Sequence, residues 1–241
     1  TALHGYGVPI SGPTAFAQLE LESEDHTDNT ATTSATLRAV AILEAGGWQR
    51  SNLNLWEKTI DKEVVTLSIT LRTSNAPLFE SLTRSIVTQW EAIGVEVVTE
   101  QFEQTGLVQS VIRPRDYEAL LYGLDISRSY DLYPFWHSSQ QDDPGLNVAQ
   151  YANVSVDDLL ETARTEQAEE ARLTALQEAG AIIVKEHPAI FLFQPTFTYV
   201  VSSDVTVVNM KNIGRPADRF SNVTEWHTES DSLWTLFRND M

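Results

Sequence analysis

The chain is 241 residues long and carries 16 Lys plus Arg against 34 Asp plus Glu, a formal charge of −18. Such a surface repels phosphate backbones and anionic headgroups, which argues against general nucleic-acid binding and against a basic lipid-docking patch. The 42% hydrophobic content, with 6 Trp, 7 Tyr and 9 Phe, is too rich for a disordered chain. The absence of Cys excludes disulfides, thiolate nucleophiles and Cys-based metal centres.

Residues Thr1 to Pro13 read as an opening loop, because Gly5, Gly7, Pro9, Gly12 and Pro13 break any regular element. The acidic run from Glu20 to Asp28 reads as a solvated loop, since like charges repel. A helix is predicted from about Thr33 to Ala45, stopped by Gly46-Gly47. From Val64 to Leu71 the residues alternate at period two, with Val65, Leu67, Ile69 and Leu71 on one side, which predicts one strand. Leu78, Leu82, Ile86, Trp90 and Ile93 recur every three to four residues, so Ala76 to Ala92 is an amphipathic helix. Gly94 ends it and Val95 to Thr99 is a second strand. Gln104 to Ile112 reads as a short helix stopped before Pro114, and Tyr117 to Gly123 as a third strand. This β-α-β-α-β order predicts a parallel sheet with right-handed crossovers.

Asp125 to Tyr151 is aromatic and polar together, with little periodicity. Ser155 to Thr165 reads as a helix with Ser155 as N-cap, and Asp157 and Asp158 suit the positive end of its dipole. Leu173, Leu176, Gly180 and Ile183 mark another helix, which ends near Glu186 before Pro188. Ala189 to Phe193 and Phe197 to Val201 read as strands, and the tail from Ser202 as a meander or return segment. No apolar run approaches the roughly 18 to 20 residues of a membrane span.

Motifs for common chemistries are lacking. None of the five His forms HExxH, and there is no GxSxG, GxxxxGK[ST] or GxGxxG. Asp142-Asp143-Pro144-Gly145 lacks the ligand alternation and distal Glu of a calcium loop, so it reads as a turn. The 34 acids offer many carboxylate pairs, but one sequence does not say which face each other, so a glycosidase reading is weak. The stretch from Ser129 to Ser138 stands out. It follows the third strand, at the carboxyl edge where α/β sheets bind ligands, and joins flat aromatics to Asp131, His137 and Ser138. Aromatics there either line a ligand wall or dock into the core. An α/β hydrolase or transferase using Asp131 with His137 is the alternative, although no activated nucleophile or oxyanion motif accompanies the pair. An interaction module with exposed aromatics is a third reading.

Several short motifs occur in a familiar order. Gly5-Tyr6-Gly7-Val8-Pro9 precedes Gly12-Pro13; Ala41-Ile42-Leu43-Glu44-Ala45-Gly46-Gly47-Trp48 ends a helix; Trp90-Glu91-Ala92-Ile93-Gly94-Val95 turns a helix into a strand. Then come Arg115-Asp116-Tyr117-Glu118-Ala119, Tyr130-Asp131-Leu132-Tyr133-Pro134, Phe135-Trp136-His137-Ser138, the set Asn147, Tyr151 and Asn153, His187-Pro188-Ala189-Ile190, and Arg219-Phe220-Ser221-Asn222-Val223 with Trp226. Together they resemble the C-terminal part of family-five solute-binding proteins of ABC importers, the group that includes oligopeptide-, dipeptide- and nickel-binding proteins. The chain departs from the family pattern at Leu132, where Pro is usual, and at Glu118, where Asp is usual.

The resemblance implies an α/β lobe of the class II periplasmic-binding-protein type, with a mainly parallel sheet flanked by helices. Residues 1–201 would form the C-terminal lobe. Residues 202–241 would be a return segment belonging with an N-terminal lobe that lies before Thr1. It also implies an extracytoplasmic, membrane-anchored protein that captures a peptide-like or other small solute and delivers it to permease subunits. No catalytic residue, metal ligand or cofactor is implied. The cleft-facing candidates are Asp125, Tyr130, Asp131, Tyr133, Phe135, Trp136 and His137, with Asp125 or Asp131 the nearest match to the acid that pairs with a peptide's α-amino group. Arg115 precedes the strand and reads as structural.

Overall fold

The computed structural model describes residues 7–13, 29–126, 130–196, 198–206 and 216–228. The acidic run from Glu20 to Asp28 lies outside the described residues. The expected parallel sheet is present. Strand β5 (Ser68–Ser74) is central, pairing in parallel with β6 (Glu96–Phe102) on one side and β7 (Ala119–Leu121) on the other. Helix α2 (Pro77–Ala92) connects β5 to β6, with Pro77 in its first turn, where a missing N–H costs nothing. None of its five predicted apolar-stripe residues is fully buried, and Leu78 stays 39% exposed; Thr83 is the side chain that reaches the interior. Gly94 closes the helix at φ +83°, a left-handed conformation that Gly adopts without strain.

The single strand predicted from Val64 to Leu71 is in fact two. Glu63–Thr66 (β4) pairs antiparallel with β3 (Trp56–Ile60), which pairs with β2 (Gln49–Arg50), whereas β5 joins the parallel sheet. The handover is at Leu67, whose N–H donates to the Trp56 carbonyl. Extended backbone alternates its side chains in either sheet, so periodicity alone did not show the break. Trp56 is 1% exposed, donates Nε1–H to the Ile93 carbonyl at 2.6 Å and carries the Arg50 guanidinium over its ring, tying the hairpin sheet to the α2–β6 turn.

After β6 the predicted short helix begins as α3 (Gln104–Gly106), capped by the Glu103 carboxylate, and widens into a π turn over Leu107–Ile112. Leu107, Val111 and Ile112 are buried there with Phe102, Tyr117, Leu120 and Tyr122 packed around them.

The second core is helical. Helix α4 (Tyr133–Trp136) leads to α5 (Val154–Thr165) and α6 (Glu169–Glu186). Val156, Leu160 and Ala163 of α5 face Ala175, Leu176, Ala179 and Ile183 of α6, and Leu132, Trp136 and Tyr151 complete the cluster. The N-cap of α5 is Asn153, two residues earlier than the predicted Ser155: its side chain accepts from the N–H groups of Ser155 and Val156. His187 stops α6 in a left-handed conformation, at the predicted place.

Two expectations about the ends are corrected. The Gly- and Pro-punctuated opening does form a strand, β1 (Gly7–Pro9), which pairs antiparallel with β8 (Phe193–Pro195). That short two-stranded pairing is all that the two strands predicted near Ala189–Phe193 and Phe197–Val201 leave among the described residues; Ile190 is 75% and Val200 97% exposed, so their apolar character reflects no strand burial. In the tail, β9 (Val205–Thr206) pairs antiparallel with β10 (His227–Thr228) across 3₁₀ turns at Pro216–Phe220 and Val223–Glu225. No helix among the described residues is long and apolar enough to cross a membrane.

Candidate functional site

The three parallel strands end on one side, at Ser74, Phe102 and Leu121, and the chain leaves β7 there as Tyr122-Gly123-Leu124-Asp125. Asp125 is exposed on this edge, and Tyr130 is half-buried against the helical core. The aromatic segment that follows runs along α5. Asp131 begins it: Oδ1 accepts from the Tyr133 N–H at 3.2 Å, and both carboxylate oxygens take the Arg164 guanidinium, the shortest contact being 2.6 Å. The Arg164 guanidinium also lies over the Tyr133 ring, 3.8 Å from its centroid, and His137 stacks on Tyr133 at 4.0 Å between centroids.

Trp136 is 3% exposed and His137 7%, so the structure places both inside and not on an open wall. Trp136 meets Tyr151 edge-on, with centroids 6.1 Å apart, and Phe191 at 5.7 Å. Phe135 is half-buried against the same cluster. His137 Nδ1 accepts the Ser139 N–H at 3.1 Å, which leaves Nε2 facing the carboxylates of Glu161 at 3.5 Å and Asp157 at 3.9 Å. Ser138 Oγ donates to Asp157 at 2.5 Å. A hydroxyl given to a carboxylate in this way is not activated by the imidazole. The Asp131–His137 pair of the hydrolase alternative is not formed among the described residues: Asp131 pairs with Arg164, and His137 faces Asp157 and Glu161.

Three framework features hold the segment in place; Asn147 was visible in sequence only as a motif letter, whereas Arg115 and the Asp142–Gly145 turn were read for these roles. Asn147 is fully buried; its Nδ2 donates to the carbonyls of His137 and Tyr151, and its Oδ1 accepts the Tyr151 N–H. Arg115 donates to the carbonyls of Ile112, Gln141 and Gly145, which makes it structural, as expected. The turn at Asp142–Gly145 closes with Gly145 N–H on the Asp142 carbonyl at 2.7 Å.

Tyr151 donates its hydroxyl to Glu186 at 2.5 Å, and Asn153 Nδ2 holds the other oxygen at 2.8 Å. Burial, then the Glu186 carboxylate, push the Tyr151 hydroxyl far above its ordinary value near 10.0. With a folded value raised above the unfolded one, its contribution to stability is complete below about pH 10 and declines above it, because the unfolded chain ionises first. Tyr151→Phe is therefore expected to show a shallower loss of stability than the parent above about pH 10, measured as the urea midpoint against pH. Parallel curves would remove the hydroxyl from the account.

Sequence reasoning missed Asp157, Glu161 and Arg164 as partners of the aromatic segment. Their signal was present: they sit one position after Val156, Leu160 and Ala163, so a polar stripe borders the apolar stripe of the same helix. Two surface depressions, one over Gly47, Arg50, Lys58 and Val64, the other between α2 and β6 at Thr83, lie away from this segment.

No family's sequence model matches the chain. It is 28% identical over 160 residues to the oligopeptide-binding protein AppA of Bacillus subtilis, an alignment that spans 66% of this chain and 29% of that protein. The fold is that of solved binding proteins. The B. subtilis AppA structure in complex with a nonapeptide superposes with a TM-score of 0.68 at 22% identity, over 95% of this chain and 44% of that one. NikZ from Campylobacter jejuni in complex with Ni(L-His) superposes with a TM-score of 0.66 at 20% identity, over 94% of this chain and 44% of that one. The chain thus spans less than half the length of these relatives.

Proposed function

We propose that this chain, which belongs to the family-five solute-binding proteins of ABC importers, supplies one wall of the cleft in which such a protein captures a peptide-like or other small solute for its permease. The observation that carries the reading is positional. The segment from Tyr122 to Phe135 leaves the carboxyl edge of a parallel sheet, where α/β sheets bind ligands, in a chain whose sequence relative is an oligopeptide-binding protein. On this reading Asp125, Tyr130, Tyr133 and Phe135 offer the accessible part of the wall, Asp131 is held in place behind it, and Trp136 and His137 are the packed base beneath it. Residues 1–201 form the lobe and 202–241 the segment that returns to a second one. The protein works outside the cytoplasm and turns nothing over. Bound solute shifts the receptor toward a closed form, through contacts that only that form completes.

The test is an NMR titration of the 241-residue chain with tri-alanine at millimolar concentration. Shifts are expected at the carboxyl edge of the sheet and across 122–135. Absence of shifts there would overturn the placing of the wall at this segment, and hydrolysis of an ester, amide or glycoside that Asp131→Asn abolishes would overturn the reading in favour of an enzyme.

A further inference from the structure

We propose that Arg164 is a positioning residue of this wall: it fixes the aromatic segment through Asp131 and Tyr133, and so withholds the Asp131 charge from the solute. The proposal rests on the solute-binding reading and deepens it. One helix grips the segment along its length, in antiparallel order. Asp131 and Tyr133 meet Arg164, His137 faces Glu161, and Ser138 meets Asp157 through both its N–H and its hydroxyl, at 2.8 and 2.5 Å. Asp157, Glu161 and Arg164 are spaced four and three apart, which puts them on one face of α5.

The Asp131–Arg164 contact is a fork on a carboxylate, the geometry that fixes orientation as well as distance. With its remaining acceptor capacity on the Tyr133 N–H, the Asp131 carboxylate is neutralised and engaged. Tyr133 is similarly occupied. A guanidinium lies over its ring at 3.8 Å and an imidazole stacks on it at 4.0 Å from its centroid, and its hydroxyl lies 3.3 Å from Ser139 Oγ. A solute at this point therefore does not find at Asp131 the anion for an α-amino group that the family resemblance implies. Recognition here is by shape and hydrogen bonding, and ligands with blocked amino ends remain acceptable to this part of the wall.

The experiment compares Arg164→Met, Asp131→Asn and the charge swap Asp131→Arg with Arg164→Asp in the 241-residue chain. Met keeps helix propensity while removing the fork. Hydrogen exchange is read over 131–139 and over α6, and tri-alanine and N-acetyl-tri-alanine serve as binding probes. Arg164→Met is expected to speed exchange over 131–139 by about tenfold with α6 unchanged, and to weaken both probes equally, by about fivefold. The pair is partly solvent-exposed, 43% for Arg164 and 32% for Asp131, which keeps the expected effect this small. The swap restores most of both readouts; a residue that merely packed would not be rescued by exchanging its charge with its partner's. Unchanged exchange over 131–139 in Arg164→Met overturns the proposal, as does a loss in Asp131→Asn confined to the probe with a free amine. Failure of the unsubstituted chain to bind either probe counts against the solute-binding reading alone, and the exchange arm still decides the assignment of Arg164.

Discussion

Trp136→Ala is expected to lower the stability of the chain by about 3–5 kcal/mol, the range for emptying a buried Trp site. The side chain is 3% exposed at the centre of the helical core, against Tyr151 and Phe191, with Leu132, Val156 and Leu160 in the same cluster. No single neighbour can close a hole of that size, since α5 and α6 are already packed on each other. Trp136→Phe is expected to cost far less, about 1 kcal/mol. It keeps an aromatic ring, and the indole N–H that it deletes is buried with no hydrogen-bond partner among the described residues. Urea denaturation of the three proteins checks the ordering. Equal stabilities, with a changed affinity for small peptides, would move Trp136 from the core to the cleft surface.

Asn147→Ala is expected to cost about 2–4 kcal/mol. Asn147 is fully buried and makes three hydrogen bonds, all to backbone groups of His137 and Tyr151. Truncation leaves two carbonyls and one N–H without these bonds in a site that Ala cannot serve, and an unmade buried bond costs more than a made one contributes. The loss is expected to show first as faster hydrogen exchange through 137–151, because Asn147 is what joins the end of the aromatic segment to the approach of α5. A denaturation midpoint within about 0.5 kcal/mol of the parent would mean that water replaces the amide, and would remove Asn147 from the framework.

How much of this was legible in the sequence follows from what each signal measures. The parallel sheet was readable because β5, α2, β6 and β7 follow one another with their own periods and a Gly stop. The hairpin at Trp56–Thr66 was not, because β4 and β5 form one unbroken alternation and only the Leu67–Trp56 hydrogen bond divides them. At the candidate site the sequence singled out the segment without showing which of its side chains face inward; Trp136 and His137 do. An aromatic residue after a strand is equally suited to a ligand wall and to a core, and Trp136 lies in the core because α5 and α6 pass beneath it, a long-range fact. Asp131 seemed available to a ligand amine until Arg164, 33 residues onward, took its charge. The set Asn147, Tyr151 and Asn153 matched a family motif, yet its chemistry here is that of a clamp, an ion-buttressed hydroxyl and a helix cap. A motif says that residues belong together; it does not say whether they face solvent.

The side-by-side stripes of α5 tie the helical core and the grip on the aromatic segment to a single phase. Removing one residue before Val156 would rotate the helix by about 100° relative to its anchor at Asn153. Asp157, Glu161 and Arg164 would swing into the seam against α6, and Val156, Leu160 and Ala163 would leave it. Length changes between Asn153 and Thr165 are therefore barred, while the solvent side of the same helix, as at Asp158 and Thr162, is open to substitution, so variation is expected on that side and in the preceding loop and not in the phase of the helix.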